Sequence, residues 1–404
     1  MKQFTSAKRL SENALPGEPG LAESHWSLKL VLILVLAGIL FAGQRLTAGT
    51  WTALAHLAPE PINTMLLLSD GTVMGAGANT ETGWYRLTPD SAGSYVNGTW
   101  STLAPMNFTR LYYSSQVMTN GRVLIAGAEY GTGTTNSEVY DPVSNTWSIV
   151  LLPPGLINMN NVPSSGENSA GFMDSISEIL PNGNVLVAPV EPVNYGGTVI
   201  YNAALNLWSA GPTLYRGFYE DEASWVKLPD DSILTIDPFS TNSERFVPSL
   251  NQWVNDANVP VSLYDPYGDE LGAGFLLPDG RAFYLGSTGN TAFYTPSGTT
   301  NMGSWQAGPV IPNSQGTPDA PAAMMVNGKI LCAVSPTPTS ANHFPSPTSF
   351  YEFDPVANSF TQVSGPTGST YPSSTYVQRM LDLPDGTVLM SATASQLYVY
   401  SISY

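Results

Sequence analysis

One short pattern recurs seven times along this chain of 404 residues. It is an Asp or Asn followed by Gly between two apolar runs, and one copy carries a second Asp in place of the Gly. The copies begin at Asp70, Asn120, Asn182, Asp230, Asp279, Asn327 and Asp385, at intervals of about 48 to 62 residues. A repeat of this length indicates stacked copies of one supersecondary unit. It restricts the architecture before any single residue is considered.

Every copy predicts the same four strands. An apolar strand such as residues 65–68 leads into a two-residue hairpin turn, because Asp-Gly and Asn-Gly favour the left-handed backbone that the turn needs. A second apolar strand leaves the turn, and we expect both strands to be buried on both faces. A third strand carries an aromatic residue such as Tyr140, and a fourth begins near a Trp or Phe such as Trp147. Four strands per copy make one blade of a β-propeller.

The N-terminal side of the repeat is expected to close the ring. Only six aromatic residues follow a third strand: Trp100, Trp147, Trp208, Trp253, Trp305 and Phe360. The last copy has none, whereas Trp51 precedes the first copy. The strand around Trp51 should therefore be the outer strand of the seventh blade, which removes an open sheet edge. The prediction is an all-β, seven-bladed propeller over residues 49–404, and six blades are the alternative if the copy around Asp231 is an insertion.

Two segments carry a family resemblance. The sequence Tyr140-Asp-Pro-Val-Ser-Asn145-Thr-Trp147 resembles a kelch repeat, and so does the segment from Asp354 to Phe360. The chain from residue 49 to 404 is similar to the kelch propeller of the galactose oxidase-like superfamily. It departs from the kelch pattern because the paired glycines that end the second strand are eroded, for example to Ala188-Pro189.

In that superfamily, the resemblance implies a copper-radical site built from two imidazoles, a tyrosinate and a Tyr cross-linked to Cys. This chain has three His residues, at His25, His56 and His343, and a single Cys at position 332. We therefore expect no copper oxidase activity. Cys332 lies in an apolar strand, which predicts a buried structural thiol.

The charge of the chain argues against some classes of partner. Five of the 14 basic residues and three of the 31 acidic residues precede residue 49, which leaves nine basic and 28 acidic residues, a formal net charge of −19. Such a field repels nucleic acid and anionic membrane surfaces. It favours cations or neutral polar ligands such as glycans.

The apolar run at residues 30–42 is the strongest signal outside the repeat. It is shorter than the roughly 20 residues of a full membrane span, and it fits a signal-peptide core or a short signal anchor. Basic residues lie mainly on its N-terminal side. We expect an uncleaved anchor over residues 28–43, a disordered cytoplasmic segment over 1–27 and an exported propeller. A weak cleavage pattern at residues 46–48 leaves secretion as the alternative.

Alignment of the copies places acidic residues at one register. Nine to eleven residues before the second residue of the turn, where the innermost strand begins, five copies carry a carboxylate. Crowded carboxylates repel one another unless a proton or cation intervenes, and hard oxygen ligands in this number suit Ca²⁺. The predicted metal ligands are Asp174, Asp221, Glu222, Asp269, Glu270 and Asp319, with Glu60 at the same register of the first copy. The alternative is a solvated acidic mouth in which Arg110 offsets part of the charge.

Aromatic residues in the loops on the same face are suited to stack on sugar rings or to clamp a peptide, since loops on a rigid scaffold often carry function. Arg110 and Tyr112 occupy the aligned position in the second copy, and Thr375 and Tyr376 occupy it in the seventh. The predicted ligand-binding residues are Arg110, Tyr112, Tyr130, Tyr195, Phe239, His343 and Phe344.

Three functions are consistent with these patterns. The first is a membrane-tethered, extracytoplasmic, monomeric propeller that binds a glycan or a protein ligand. The second is a sugar hydrolase or lyase that uses paired carboxylates as acid and base. No pair is singled out by spacing, so no catalytic residue is assigned. The third is a structural surface protein.

Overall fold

Short antiparallel strands make up the computed structural model of this protein. It describes residues 49–153, 155–156, 172–189, 196–217, 220–238, 240–268 and 270–402. Helical structure in these ranges is limited to two 3-10 turns, Pro312–Ser314 and Thr375–Val377. None of the described residues forms a helix long and apolar enough to cross a membrane. The segments at 1–27 and 28–43, for which disorder and an anchor are predicted, lie outside the described residues.

The strands follow the repeat along the first half of the chain. β1 (Thr50–Ala53) belongs to the last sheet, and the first blade consists of β2 (Ile62–Leu67), β3 (Val73–Gly77), β4 (Trp84–Thr88) and β5 (Thr99–Thr102). Next come β6 (Arg110–Leu111), β7 (Ser114–Val117), β8 (Val123–Ala126), β9 (Tyr130–Gly131), β10 (Ser137–Asp141) and β11 (Thr146–Val150). Strands β7, β8, β10 and β11 form the second blade, and β6 pairs with β9 in a separate ribbon.

The remaining blades repeat the pattern. The third has β12 (Ile176–Ile179), β13 (Val185–Ala188), β14 (Val199–Asn202) and β15 (Leu207–Ala210), and the fourth has β16 (Val226–Lys227), β17 (Ile233–Ile236), β18 (Ser243–Val247) and β19 (Gln252–Asn255). The fifth has β20 (Gly274–Leu276), β21 (Ala282–Leu285), β22 (Thr291–Thr295) and β23 (Ser304–Ala307). The sixth has β24 (Gln315–Gly316), β25 (Ala322–Met324), β26 (Ile330–Pro336), β27 (Ser349–Asp354) and β28 (Ser359–Val363). The seventh has β29 (Arg379–Asp382), β30 (Val388–Ser391) and β31 (Tyr398–Ser401), and β1 completes it.

All seven repeated turns share one geometry, a three-residue loop instead of the expected two-residue one. In the first, Leu68 N donates to Thr72 O at 2.8 Å, and Gly71 N donates to Leu68 O at 3.0 Å. Gly71 has a φ of 82°, so the loop is a type I turn followed by a left-handed residue. In every copy the Asp or Asn side chain accepts the backbone N–H two residues later, at 2.9–3.1 Å.

The copy around Asp231 is a complete blade. Asp231 occupies the position that glycine holds in the other six turns, with a φ of 65°. Its N–H makes the equivalent bond to Leu228 O at 2.9 Å. The seven-blade prediction is therefore confirmed, and the six-blade alternative is wrong.

Seven apolar clusters of described residues hold the ring, with one cluster between each pair of neighbouring blades. The second strand of each blade is buried along its length, apart from Pro336 at the end of β26. The innermost strands are only partly buried, as in β12 and β29. The expectation that both strands are buried on both faces is wrong for the innermost ones, because one face lines the central channel.

Pairing of β1 with β31 closes the ring and places Trp51 opposite Tyr400. The Trp51 ring lies 5.2 Å from the Phe350 ring and 4.9 Å from the Tyr400 ring, and its Nε1 donates to Ser364 O at 2.8 Å. The prediction that Trp51 completes the last blade is confirmed. Equivalent Nε1 donors tie an outer strand to the preceding blade at Trp147, Trp208 and Trp305.

Replacement of Trp51 tests this closure. We expect Trp51→Ala to lower the free energy of unfolding by about 2–4 kcal/mol, because the variant loses two ring contacts and one hydrogen bond across the closing seam. Urea unfolding measures the change. Leu205→Ala is the control, because Leu205 is 65% exposed. Equal midpoints for the two variants would show that the closing strand contributes little.

Candidate functional site

One mouth of the central channel opens into a cavity of about 710 Å³. All seven blades reach its wall, because the residues at the start of each innermost strand converge there. Blades one to seven contribute, in order, Thr64, Tyr112, Asp174, Glu222, Glu270, Asp319 and Tyr376. Tyr130, Phe344 and Arg379 also line the cavity. The structure thus brings together most of the acids that share the aligned register.

The acids form two overlapping groups that share Glu222. Carboxylate oxygens of Glu222, Glu270 and Asp319 lie within 4.8 Å of one another, and Glu222 meets Asp174 and Asp221 within the same limit. Glu270 is buried, and its Oε2 has no hydrogen-bond partner among the described residues. The other four acids are half-buried. Position 269, the sixth predicted metal ligand (Asp269), lies outside the described residues.

Burial raises the pKa of three of these acids, Glu222, Glu270 and Asp319, and repulsion by neighbouring acids adds to the shift for Glu222 and Glu270. Burial, followed by the charges of Asp319 and its neighbours, raises the pKa of Glu222 well above its usual value. The same two causes raise the pKa of Glu270 to about 9. Burial raises the pKa of Asp319 to about 6, against the opposing effect of the Arg379 charge. Both shifts favour the protonated form of Glu222 and of Glu270 over the ionised form.

Four residues of the cavity wall have a left-handed backbone: Tyr112 (φ 51°), Asp174 (φ 40°), Glu222 (φ 51°) and Asp319 (φ 43°). Each lies nine residues before the second residue of its own turn, so the conformation repeats with the blade. It costs a residue other than glycine on the order of 1 kcal/mol, and the surrounding strands must maintain it. The fold therefore holds these side chains in fixed positions at the blade entries.

Two pairs of aromatic rings stand in the wall beside the acids. The Tyr112 and Tyr130 rings are 6.1 Å apart, and the Phe344 and Tyr376 rings are 4.7 Å apart. The β6–β9 ribbon places Tyr130 opposite Leu111. All four rings are partly exposed. Burial raises the pKa of Tyr112 to about 12, so its hydroxyl keeps its proton and can donate a hydrogen bond.

Arg110 lies inside the second blade and not in the cavity. Its side chain is fully buried, with Nη2 3.0 Å from Glu138 Oε1. Its Nη1 donates to Gly127 O and Gly133 O, both at 2.7 Å. Glu138 and these backbone carbonyls hold the Arg110 guanidinium inside the blade, so it lies apart from the axial acids and does not line the cavity where it was predicted to bind ligand.

Three further residues, two from the aligned register and one from a long loop, lie outside the cavity wall. Glu60 accepts hydrogen bonds from Asn79 N and Thr80 N at 3.0 and 3.1 Å, so its carboxylate holds a loop. His343 lies outside the cavity wall and has its ring 6.4 Å from the Tyr267 ring. Thr375 is buried, and its Oγ1 donates to Pro318 O at 2.8 Å. Tyr195 and Phe239, also predicted to bind ligand, are outside the described residues.

Gln378 and Arg379 are polar residues of the wall that the aligned register does not predict. They lie eight and seven residues before Gly386, just outside the window of nine to eleven residues. The Gln378 amide donates to Thr348 Oγ1 at 2.5 Å and to Ser374 O at 3.3 Å. Its Oε1 is buried without a hydrogen-bond partner among the described residues. A wider window would have included both residues, although nothing in the sequence separates them from ordinary strand residues.

No protein-family model and no curated protein matches this chain. Among solved structures, it is similar to a catalytically inactive virginiamycin B lyase from Staphylococcus aureus with quinupristin, with a TM-score of 0.57, 12% identity and coverage of 88% of this chain and 100% of that one. YCF48 bound to D1 peptide has a TM-score of 0.54, with 15% identity over 88% and 96% of the two chains. A fungal alcohol oxidase of the AA5 family, in complex with copper, has a TM-score of 0.45 at 17% identity, and the alignment covers 84% of this chain and 62% of the oxidase. At these identities the likeness shows the propeller fold alone.

The buried position of Arg110 predicts a structural role. We expect Arg110→Leu to lower the free energy of unfolding by about 3–5 kcal/mol, because Glu138 is left as a buried unpaired charge. Urea unfolding measures this loss. Arg122→Leu is the matched control, because Arg122 is 49% exposed in its pair with Asp141 and should cost less than about 1 kcal/mol. Similar losses in both variants would contradict the assignment.

Proposed function

We propose that this protein is a membrane-tethered, extracytoplasmic binding module that holds a neutral glycan in the acidic mouth of its propeller. The observation that carries the proposal is that partly exposed aromatic rings and clustered carboxyl groups share one cavity. A sugar presents apolar C–H faces and a rim of hydroxyl groups. The rings can cover the faces, and the carboxyl groups can bond the rim.

The size of the cavity supports this proposal. Its volume of about 710 Å³ falls in the range of roughly 300–1,000 Å³ that is usual for small-ligand sites. The ring pairs Tyr112–Tyr130 and Phe344–Tyr376 come from different blades. A ligand that contacts both ring pairs would therefore bridge more than one blade. A rigid scaffold of this kind lowers the entropy cost of binding.

Charge selects among ligands. The formal net charge of the whole chain is −17, and the acids of the mouth concentrate negative charge at the cavity. Anionic glycans and acidic peptides would be repelled. A carboxyl group that carries a proton donates a hydrogen bond and an ionised one accepts it, so clustered carboxyl groups match the mixed donors and acceptors of a neutral sugar.

A glycan-binding screen of the detergent-solubilised full chain tests the proposal. We expect binding to neutral glycans, with the Kd weakened at least about tenfold in the double variant Phe344→Ala with Tyr376→Ala, since it loses one ring pair. Tyr267→Ala is the control, because Tyr267 is 49% exposed and lies outside the cavity wall.

The other outcomes of this screen are informative. Unchanged glycan binding by the double variant would show that the glycan binds outside the cavity. Binding of peptides alone would favour the protein-ligand alternative. Release of shortened or unsaturated sugars from a bound glycan would favour the hydrolase or lyase alternative, and an absence of any ligand would favour the structural protein.

Location is part of the proposal and is supported by the apolar run at residues 30–42 with basic residues before it. We expect the full chain to sediment with membranes and to be cleaved by protease added outside intact cells. Leu34→Arg should release it from the membrane fraction, because a charge in the middle of the run costs about 2.5–3.5 kcal/mol on insertion. A chain that is soluble and protected from the protease would overturn both the anchor and the export.

A further inference from the structure

We infer that Glu222, Glu270 and Asp319 form a Ca²⁺ site in the wall of the cavity. The inference deepens the proposed function and rests on the same cavity, because the cation would lie where a glycan is proposed to bind. Its measurement with Ca²⁺ alone does not require that a glycan binds.

The spacing of the three carboxylates fits one Ca²⁺ ion. Ca²⁺ binds oxygen at about 2.3–2.6 Å, so two oxygens of one coordination shell are at most about 5 Å apart. Oxygens of Glu222, Glu270 and Asp319 lie within 4.8 Å of one another, and all three residues line the cavity. They come from three consecutive blades, so the convergence is a product of the ring.

A second observation, on Glu270, also points to a ligand. Glu270 is 6% exposed and lines the cavity, and its Oε2 has no hydrogen-bond partner among the described residues. A buried acceptor left unsatisfied costs about 1–3 kcal/mol. A cation bound by Oε2 would satisfy this oxygen and offset the repulsion among the acids.

The cavity wall offers one more buried oxygen of the same kind. Gln378 is fully buried, and its Oε1 has no hydrogen-bond partner among the described residues. Bonds from its Nε2 to Thr348 Oγ1 and Ser374 O fix which end of the amide is oxygen. Amide and carboxylate oxygens are the donors that Ca²⁺ prefers.

A shared proton is the competing explanation. Asp265 is 1% exposed and its Oδ2 also lacks a partner among the described residues. Asp265 is one of the charges that raise the pKa of Glu270. A proton held between Glu270 and Asp265 would relieve both oxygens without a metal. That arrangement predicts no response to Ca²⁺.

The cation would also have a role toward the proposed ligand. Ca²⁺ takes six to eight oxygen ligands, so three carboxylates leave positions for water on the cavity side. Two neighbouring hydroxyl groups of a sugar can replace two of these waters. Such a contact would select glycans that present an adjacent pair of hydroxyl groups, while the aromatic rings cover the sugar face.

Calcium binding to the full chain tests the inference. After treatment with EDTA and dialysis, calorimetric titration with CaCl₂ should show one site per chain, and the Tm should rise with Ca²⁺. Glu270→Gln, Glu222→Gln and Asp319→Asn should each weaken the Kd for Ca²⁺ at least about tenfold, because each removes one charged ligand while keeping its shape.

A matched control removes a charge from the same blade as Glu222. Asp231→Asn changes a carboxylate to an amide in the turn at the other end of β16, where Asn suits a φ of 65°. It should leave the Kd for Ca²⁺ unchanged. Near-ultraviolet circular dichroism without Ca²⁺ shows whether Glu270→Gln is folded. If it is not folded, the Kd values of Glu222→Gln and Asp319→Asn are compared with that of Asp231→Asn instead.

Several results would overturn the inference. The first is the absence of both heat and a Tm shift at millimolar Ca²⁺. The second is a loss of binding in Asp221→Asn and Asp174→Asn but not in Glu270→Gln and Asp319→Asn, which would place the ion in the other group of acids.

Ca²⁺ binding without any glycan binding would support the cation site and count against the proposed function. Glycan binding that persists in EDTA would show that the cation takes no part in glycan recognition.

Discussion

Burial of one whole strand per blade between its neighbours is the constraint on which this structure depends. The second strands β3, β8, β13, β17, β21, β26 and β30 are apolar on both faces, and each contributes to the clusters that join adjacent blades. A single blade could not cover such a strand. The faces are covered only when the ring is complete, so the pairing of β1 with β31 stabilises every interface of the ring.

Closure of the ring also determines which side chains meet at the mouth of the central channel. Seven innermost strands begin around one channel mouth, and equivalent positions of the repeat are brought together there. Acids that are about 50 residues apart in the sequence become near neighbours, as Glu222 and Glu270 show. Packing of the blades thus forces together charges that would separate in an open chain. Burial, together with that crowding, raises the pKa of Glu270.

Equivalent positions of the repeat nevertheless have different roles. Glu60 is used to hold a loop, Arg110 is buried against Glu138, and Tyr112 stands in the cavity wall. Tyr112, Glu222 and Asp319 share a left-handed backbone at this position, and all three line the cavity. Whether a polar side chain is satisfied locally or remains in the cavity depends on the loop that follows it, and these loops vary between blades.

The number of blades, the turn positions and the closing role of Trp51 followed from the sequence, because each rests on local patterns that repeat. The shared register of Asp174, Glu222 and Asp319 followed for the same reason. Only the tertiary structure decided that Glu60 and Arg110 lie apart from the mouth, that Gln378 and Arg379 belong to it, and that Glu270 keeps a buried oxygen without a partner. Periodicity specifies where strands begin along the chain, whereas the partners of a side chain depend on loops and neighbouring blades that are distant in the sequence.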